Sequence, residues 1–342
     1  MSDTNHSLEN RLETRTVGIS RRTVLTGGSA LAGVLGVGGF PSGARGSDLA
    51  ARREAIESLP EDPPQTLFKS HYIVSNEPHT HHLLPTLDAR GGVYIGIATD
   101  QNFVLIPRLR PTLVVMMDFD RVVVETHKVL RYAFATRQSP QEFMRFFSAK
   151  RVSSHRKEIL ASKLPEADKV VMRKTLGRFH EELSARFEAE RTRANRDGAA
   201  TYLNDPASYQ TMHELAATNR YATVQGDLVG THMMTALGAY LREQDLKVGT
   251  LALSNAEQYF PFNEQYIANI TALPFAQDAV VLRTYRHLRG EVKPRGYHYY
   301  RQTAANFLEC LRTRGAKDVQ QLLEHAVATS DRRVHGLEFP IK

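Results

Sequence analysis

Short apolar runs alternate along this chain with segments whose apolar residues recur every three or four positions. The runs "GGVYIGI", "TLVVMMD", "YATVQGD", "KVGTLALSN" and "AVVLRTYR" predict buried strands, because each is short, apolar and bounded by a polar turn or glycine. "HYIVSN" also has strand character. The segments between the runs have helical periodicity. This alternation predicts an α/β fold with a mostly parallel sheet and right-handed crossovers.

Residues 121–219 depart from the alternation, because they show helical patterns without a strand. "SPQE" predicts a helix start with Ser139 as N-cap and proline in the first turn. A long amphipathic helix is predicted for residues 167–193, where apolar side chains recur at spacings of three and four. The stretch 121–219 is therefore predicted to be a helical insertion after the second strand, or a cap over the site.

The N-terminus predicts export. "SRRTVL" (Ser20 to Leu25) resembles the twin-arginine translocation signal, and an apolar, glycine-rich segment follows it. Ser42-Gly43-Ala44 is a candidate cleavage site with small residues, so residues 1–44 are predicted to be a signal peptide recognised by the twin-arginine translocase. The expected location is the periplasm or cell envelope. Residues 45–65 are predicted to form a short amphipathic helix and a linker, ahead of a domain at 66–342.

Composition narrows the classes of partner. The net charge is +7 with a pI near 9.4, but much of the basic excess falls in the signal and in one mixed-sign helix. There is no arginine-rich arm, so no nucleic-acid partner is expected. The single cysteine, Cys310, excludes an internal disulfide and a cysteine-based zinc cluster, and predicts a packed core position. No stretch after residue 45 is apolar enough to predict a membrane span.

Polar residues follow each predicted strand. In open α/β sheets ligands bind beyond the carboxyl ends of the strands, so these exits predict one cleft along a single sheet edge. The candidate site residues are Asn76, Glu77, Gly96, Asp100, Gln101, Asn102, Asp118, Asp120, Asp227, Ser254, Asn255, Glu257, Gln258 and Tyr259.

The blocks "GGVYIGIATDQNF", "VVMMDFD", "QGDLVG" and "LALSNAEQY" resemble an uncharacterised bacterial family whose members look like class I S-adenosylmethionine-dependent methyltransferases in fold. The resemblance covers roughly residues 68–290, and it implies a three-layer, Rossmann-like fold. It also implies a cofactor site that uses S-adenosylmethionine. The loop after "YIGI" would pass under the methionine part of the cofactor. Asp118 or Asp120 would accept the ribose hydroxyls, and Asp227 would lie near the adenine.

The same resemblance assigns the other polar residues that follow the strands to the site of the methyl acceptor. It implies that "LSNAEQY" lies where the acceptor meets the methyl group, so Ser254 to Tyr259 become candidate substrate contacts, with Asn76 and Glu77 beside them. His127, Glu257 and Tyr259 are the candidate catalytic residues. His127 follows "DFD" on a helix, where an imidazole can act as a base near neutral pH, although a satisfied interface residue is the favoured interpretation.

Other chemistries remain open. Asp118, Asp120, Asp227 and Glu257 are hard oxygen ligands suited to Mg²⁺ or Ca²⁺. "MMDFD" also fits the start of an aspartyl-phosphate phosphatase, with Ser254 as a second motif. "EPHTHH" offers imidazoles suited to Zn²⁺, but its spacing matches no standard zinc motif, so a solvated histidine-rich loop is favoured there. A non-catalytic envelope binding protein is the last alternative.

Overall fold

The computed structural model describes residues 49–286, 297–313, 315–324 and 336–338. The predicted signal peptide, residues 1–44, lies outside them. The described residues belong to one compact unit.

A seven-stranded, mostly parallel sheet forms the centre of the fold, in the spatial order β3-β2-β1-β4-β5-β6-β7. The first five strands in this order are mutually parallel, β6 is antiparallel to β5, and β7 is parallel to β6. The strands are β1 (Val93–Ile97), β2 (Leu113–Asp118), β3 (Tyr221–Gln225), β4 (Val248–Ala252), β5 (Phe275–Tyr285), β6 (His298–Thr303) and β7 (Gly336–Glu338).

Helices cover both faces of this sheet. Alternate side chains of β2 point to opposite faces, so Val114 and Met116 enter one apolar core while Val115 and Met117 enter another. The result is a three-layer α/β arrangement, compatible with a Rossmann-like fold. The helices are α1 (Leu49–Glu57), α2 (Gln101–Leu109), α3 (Arg121–Thr136), α4 (Pro140–Phe146), α5 (Val152–Ala161), α6 (Glu166–Arg196), α7 (Pro206–Ala217), α8 (Met233–Glu243), α9 (Glu264–Thr271), α10 (Ala304–Arg312) and α11 (Val319–Glu324).

The block 121–219 is helical, as its periodicity predicts, and contains α3 to α7 between β2 and β3. Ser139 caps α4 by accepting the Glu142 backbone N–H at 3.2 Å. The predicted apolar face of α6 is buried against α3, α4 and α5. α3 is also the crossover helix that packs on β2 and β3, so the block is joined to the sheet through its first helix.

Two segments differ from the sequence-based expectation. Residues 71–76 do not form a strand; they follow an irregular path beside the sheet. Residues 45–65 were expected to end in a linker, yet α1 packs against β3 and Glu57 accepts the Thr223 backbone N–H at 2.8 Å. The reason is that Glu57 satisfies a backbone donor on the outer edge of β3, which the sheet itself leaves unpaired. Residues 49–65 are therefore part of the folded domain.

Among the described residues, no helix is both long enough and apolar enough to cross a bilayer.

Candidate functional site

A cavity of about 270 Å³ opens at the carboxyl ends of β1, β2, β3 and β4. It lies where the strand order reverses between β1 and β4, the position at which open α/β sheets bind ligands. Half of the predicted site residues reach it. Those that line the cavity are Asn76, Asp118, Asp120, Asp227, Ser254, Asn255 and Tyr259.

Two of the strand exits on this cavity have an unusual backbone. Ala98, directly after β1, has a φ of +70°, and Ser254, after β4, has a φ of +52°. Both residues line the cavity. A side chain in this left-handed region costs about 1–2 kcal/mol, and such strain clusters at ligand sites when the surroundings enforce it.

His127 holds the first of these exits. Its Nε2 lies 2.7 Å from the Ala98 carbonyl oxygen and its Nδ1 lies 2.9 Å from the Tyr221 hydroxyl. A carbonyl only accepts, so Nε2 carries the proton and Nδ1 accepts from Tyr221. Burial lowers the pKa of His127 to about 4, and it does not line the cavity. The predicted base is thus a neutral residue that positions the loop.

Asp100 also lies behind the loop rather than in the cavity. Its carboxylate accepts the Ser75 backbone N–H at 2.7 Å and the Arg186 Nε–H at 2.7 Å. Arg186 comes from α6 and also donates to the Glu77 carbonyl at 3.1 Å. The buried Asp100–Arg186 pair therefore ties the exit of β1 to the irregular segment that stands in place of the predicted strand.

The other residues predicted for the cofactor loop have internal roles as well. Gln101 accepts the Thr99 backbone N–H at 3.1 Å, and Asn102 donates to the Ile97 carbonyl at 2.9 Å. Gly96 faces Asn102 so closely that an added Cβ would lie 2.6 Å from its Oδ1. Gly96, Gln101 and Asn102 therefore shape the β1–α2 turn from beneath, without lining the cavity.

Glu77 holds the residue that follows β4, just as His127 holds the residue that follows β1. Its buried carboxylate accepts hydrogen bonds from the hydroxyls of Ser254 and Thr284, the latter at 2.8 Å. Burial raises the pKa of Glu77 despite these two bonds. Glu77 does not line the main cavity, but it holds Ser254 in the left-handed conformation that forms part of the cavity wall.

Three aspartates on the cavity differ in how far they are already hydrogen-bonded. Asp120 caps α3 by accepting the Val122 N–H at 2.9 Å, and its other oxygen lies 2.8 Å from His71 Nδ1. Asp227 accepts from Gln65 Nε2 at 2.8 Å and from a backbone N–H at 3.0 Å. In both carboxylates each oxygen therefore already accepts one hydrogen bond from a protein group.

Asp118 is the exception. Within the described residues, its carboxylate is bonded by the backbone of the two following residues and by no side chain. Desolvation by the surrounding protein raises its pKa to about 7, and the neighbouring Asp120 and Asp227 act in the same direction. A ligand that donates hydrogen bonds to Asp118 would compensate this cost. Asp118 is therefore the acidic group best placed for recognition.

Glu257 is elsewhere. It is buried and bound to Arg283, whose Nε lies 2.6 Å from Oε2, and to the Tyr266 hydroxyl at 2.6 Å. The predicted carboxylate metal site of Asp118, Asp120, Asp227 and Glu257 is therefore not assembled, because Glu257 neutralises a buried arginine. Gln258 also lies off the cavity, and its Oε1 is 3.3 Å from the Arg286 backbone nitrogen.

Sequence reasoning missed the N-terminal wall of the cavity. Gln65, Thr66, Leu67, Ser70 and Tyr72 all line it. Asp62 fixes the loop after β3 by accepting the backbone N–H groups of Asp227 and His232, each at 3.0 Å. Sequence reasoning also missed Arg186. Its position next to Phe187, on the buried face of α6, could have indicated a buried arginine. The wall residues gave no such signal, because they belong to a segment that looked like a linker and a strand.

The histidine-rich segment is not a solvated loop. It forms a 3₁₀ helix at Thr80–Thr86, and the side chain of His81 is only 1% exposed. Its imidazoles gather around Asp197, the residue that ends α6. The sequence spacing conceals this because the fourth member comes from a helix more than a hundred residues later.

A family model described as a domain of unknown function, DUF7790, matches residues 72–339, which is most of the chain. A search of curated proteins gives no match.

Proposed function

Since the chain belongs to the DUF7790 family, whose description names no function, we propose one from the cavity. The protein binds a small polar, nucleoside-like ligand at the carboxyl ends of the strands, with S-adenosylmethionine as the candidate cofactor and group transfer as the candidate reaction. Export through the twin-arginine translocase to the periplasm or envelope is part of the same proposal. The observation that carries it is the Asp118 carboxylate, bonded only by adjacent backbone and facing the cavity at the switch point.

The position of Asp118 supports a role with a ribose. An acidic side chain at the end of the second strand is the group that accepts ribose hydroxyl hydrogen bonds in dinucleotide-binding folds. The first five strands here have the order β3-β2-β1-β4-β5 found in those folds. Asp118 ends β2, next to the strand that begins the site. Asp120, the other candidate, is occupied by its helix cap and by His71.

The mouth of the cavity supports a flat, partly apolar ligand. Tyr259 is 49% exposed and Tyr72 is 45% exposed, and both line the cavity. The ring of Phe68, also exposed, meets Tyr259 edge-on with centroids 6.1 Å apart. Exposed aromatic rings at the mouth of the cavity offer stacking surfaces to a base. We expect Asn76 and Asn255 to bind polar groups beside it.

A non-catalytic binding protein is the second candidate. Of the three candidate catalytic residues only Tyr259 lines the cavity, while His127 and Glu257 are bonded inside the protein. This observation favours ligand binding over acid–base catalysis. Transfer from a reactive cofactor remains compatible with it, since such a reaction depends strongly on proximity and orientation.

Calorimetric titration of the chain without its signal tests the proposal, using S-adenosylmethionine, S-adenosylhomocysteine and adenosine. We expect Asp118→Asn to weaken binding about ten- to a hundredfold, because a charged acceptor is lost. Asp245→Asn is the matched control, since Asp245 lies on the turn before β4, at the other end of the sheet, and is exposed. Binding to this control should equal wild type.

The outcomes separate the candidates. If wild type gives no heat with these three ligands at millimolar concentration, the nucleoside proposal is wrong. If adenosine binds but the methionine-containing compounds bind no tighter, the cofactor assignment fails and the non-catalytic candidate is favoured. Equal loss in Asp118→Asn and Asp245→Asn would remove Asp118 from the site.

A further inference from the structure

Four side chains converge at the junction between the 3₁₀ helix Thr80–Thr86 and the end of α6. They are His79, His81, His82 and Asp197. One ligand-type atom from each lies within 4.8 Å of those of the other three. The three imidazoles come from one short turn, whereas Asp197 comes from the other side of the helical block, so the fold brings them together.

The spacing suits a metal ion. His81 Nε2, His82 Nε2 and His79 Nδ1 lie 2.9, 3.7 and 4.0 Å from the same atom, Asp197 Oδ2. Ligands at 2.0–2.1 Å in a tetrahedron around zinc lie about 3.3 Å from one another. The observed distances fall on both sides of that value, so small side-chain rotations are enough to complete the geometry.

The surroundings of His81 resemble the support of a metal ligand. Its Nε2 faces Asp197, while its Nδ1 lies 3.4 Å from Glu190, a carboxylate with a side chain only 1% exposed. Glu190 is itself held by Arg193 at 2.9 Å. Metal-bound histidines typically donate their second N–H to a carboxylate in this way, which fixes the ring orientation.

His79 adds an independent observation. Its Nδ1 is buried and makes no hydrogen bond, although it points to the centre of the group. Its ring stacks on that of His82 with centroids 4.9 Å apart. A buried imidazole nitrogen that lacks a hydrogen bond can bind a metal ion, because the metal would supply the missing partner.

We propose that His79, His81, His82 and Asp197 form a binding site for one borderline divalent metal ion, with Zn²⁺ as the expected occupant. Imidazole nitrogens select zinc and similar metals, whereas Mg²⁺ and Ca²⁺ prefer oxygen ligands throughout. The site does not depend on the nucleoside cavity, because the two sites have no residue in common. It joins the N-terminal segment to the helical block.

A second cavity, of about 770 Å³, borders the site. His81, His82 and Asp197 lie in its wall together with Arg108 and Arg110. The metal is therefore reachable from solvent, so a chelator can remove it without unfolding the protein.

The test is a Zn²⁺ titration of the chelator-treated chain, followed by calorimetry and by thermal unfolding, with Co²⁺ as a spectroscopic probe. We expect one Zn²⁺ per chain, a Tm that rises with zinc concentration, and the visible absorption of Co²⁺ in a low-symmetry nitrogen and oxygen site. His79→Gln/His82→Gln should weaken zinc binding at least a hundredfold. Both side chains are partly exposed, 30% and 20%, so this variant should still fold.

His180→Gln/His232→Gln is the matched control, since it also removes two histidines but leaves the group intact. It should bind zinc like wild type. Asp197→Asn should weaken binding about ten- to a hundredfold while it keeps the size of the side chain. The proposal is overturned if wild type binds no zinc at micromolar concentration, if the His79/His82 variant binds like wild type, or if the two double variants lose binding equally.

Discussion

The Nε2–H of His127 donates to the carbonyl oxygen of Ala98 at 2.7 Å, and Ala98 has a φ of +70°. The pair explains how a residue with a side chain occupies a position that glycine would normally fill, because a buried hydrogen bond holds the peptide in place. Glu77 and Ser254 repeat the relationship at β4. Both sides of the switch point are therefore held from behind by residues that do not line the cavity.

Replacing Ala98 with glycine should stabilise the protein. The left-handed backbone costs alanine about 1–2 kcal/mol, which glycine avoids. Glycine also loses more conformational entropy on folding, so we expect a net rise of about 0.5–1 kcal/mol in the free energy of unfolding. Urea denaturation measures it. Ala185→Gly, on an exposed face of α6, is the control and should lose about 1 kcal/mol. A loss in both variants would mean that the backbone of Ala98 is not strained.

His127 should make the fold sensitive to acid. Its pKa is lowered to about 4 in the folded protein, against about 6.5 when unfolded. Its contribution is thus complete above pH 6.5 and lost as the pH falls towards 4, because the unfolded chain takes up the proton first. We expect His127→Gln to be less stable than wild type at pH 7, and the difference to shrink by about 3 kcal/mol at pH 4.

Tyr221→Phe serves as the control for this pH effect. It removes the hydroxyl bonded to His127 Nδ1 but leaves the imidazole to titrate, so its stability should fall while the pH dependence of wild type remains. Unfolding curves at intervals between pH 4 and 8 provide the comparison. A constant difference between wild type and His127→Gln across that range would contradict the buried, neutral imidazole.

The contribution of Asp118 to folding stability should depend on pH in the opposite direction. Its folded pKa is raised to about 7, so the stability associated with it is complete below about pH 3.9 and is lost as the pH rises through 7. We therefore expect Asp118→Asn, without ligand, to be about 1–3 kcal/mol more stable than wild type at pH 8 and similar to it near pH 4. Asp120→Asn should instead be less stable at pH 8, because the N-terminus of α3 loses a negative charge that interacts favourably with the helix dipole.

Ligand binding should strengthen with pH if Asp118 accepts hydrogen bonds from a ribose. Only the ionised carboxylate accepts with both oxygens, so we expect affinity to rise about tenfold per unit below pH 7 and to level off above it. Calorimetry with S-adenosylhomocysteine between pH 5.5 and 8.5 measures this. In Asp118→Asn the curve should be flat. A slope that survives this substitution would assign the titration to another group.

Export should depend on the arginine pair near the N-terminus. We expect Arg21→Lys/Arg22→Lys to leave the protein in the cytoplasm, because the translocase recognises the two guanidinium groups of "SRRTVL". Cell fractionation with detection of the full-length and processed chains measures the outcome. Arg11→Lys/Arg15→Lys, upstream of the motif, is the control and should be exported normally. If the processed form of Arg21→Lys/Arg22→Lys appears outside the inner membrane, the targeting prediction is wrong.

Local pattern was sufficient for β1 to β5 and for the helices of 121–219, but it did not predict β6 and β7. β1 to β5 were predicted from their apolar runs, and the helices of 121–219 from their periodicity, because burial on both faces of a sheet or on one face of a helix leaves a direct trace in sequence. The short helix in the segment 49–76 was also predicted, but the packing of this segment against the sheet left no such trace. α1 is short, and the path of residues 71–76 is set by hydrogen bonds from distant residues, such as that from the Ser75 N–H to Asp100.

By itself, the sequence determined that polar residues collect at the carboxyl ends of a parallel sheet, and it named seven of the residues that line the cavity. Only the tertiary structure decided which of them still has a hydrogen-bonding group to offer. Asp100, His127 and Glu257 look like site residues in sequence, yet each is satisfied by a partner far along the chain. The grouping of His79, His81 and His82 with Asp197 likewise required the fold. The physical reason is that a polar side chain is available for function only when no other group has paired with it, and that pairing is made across the whole chain.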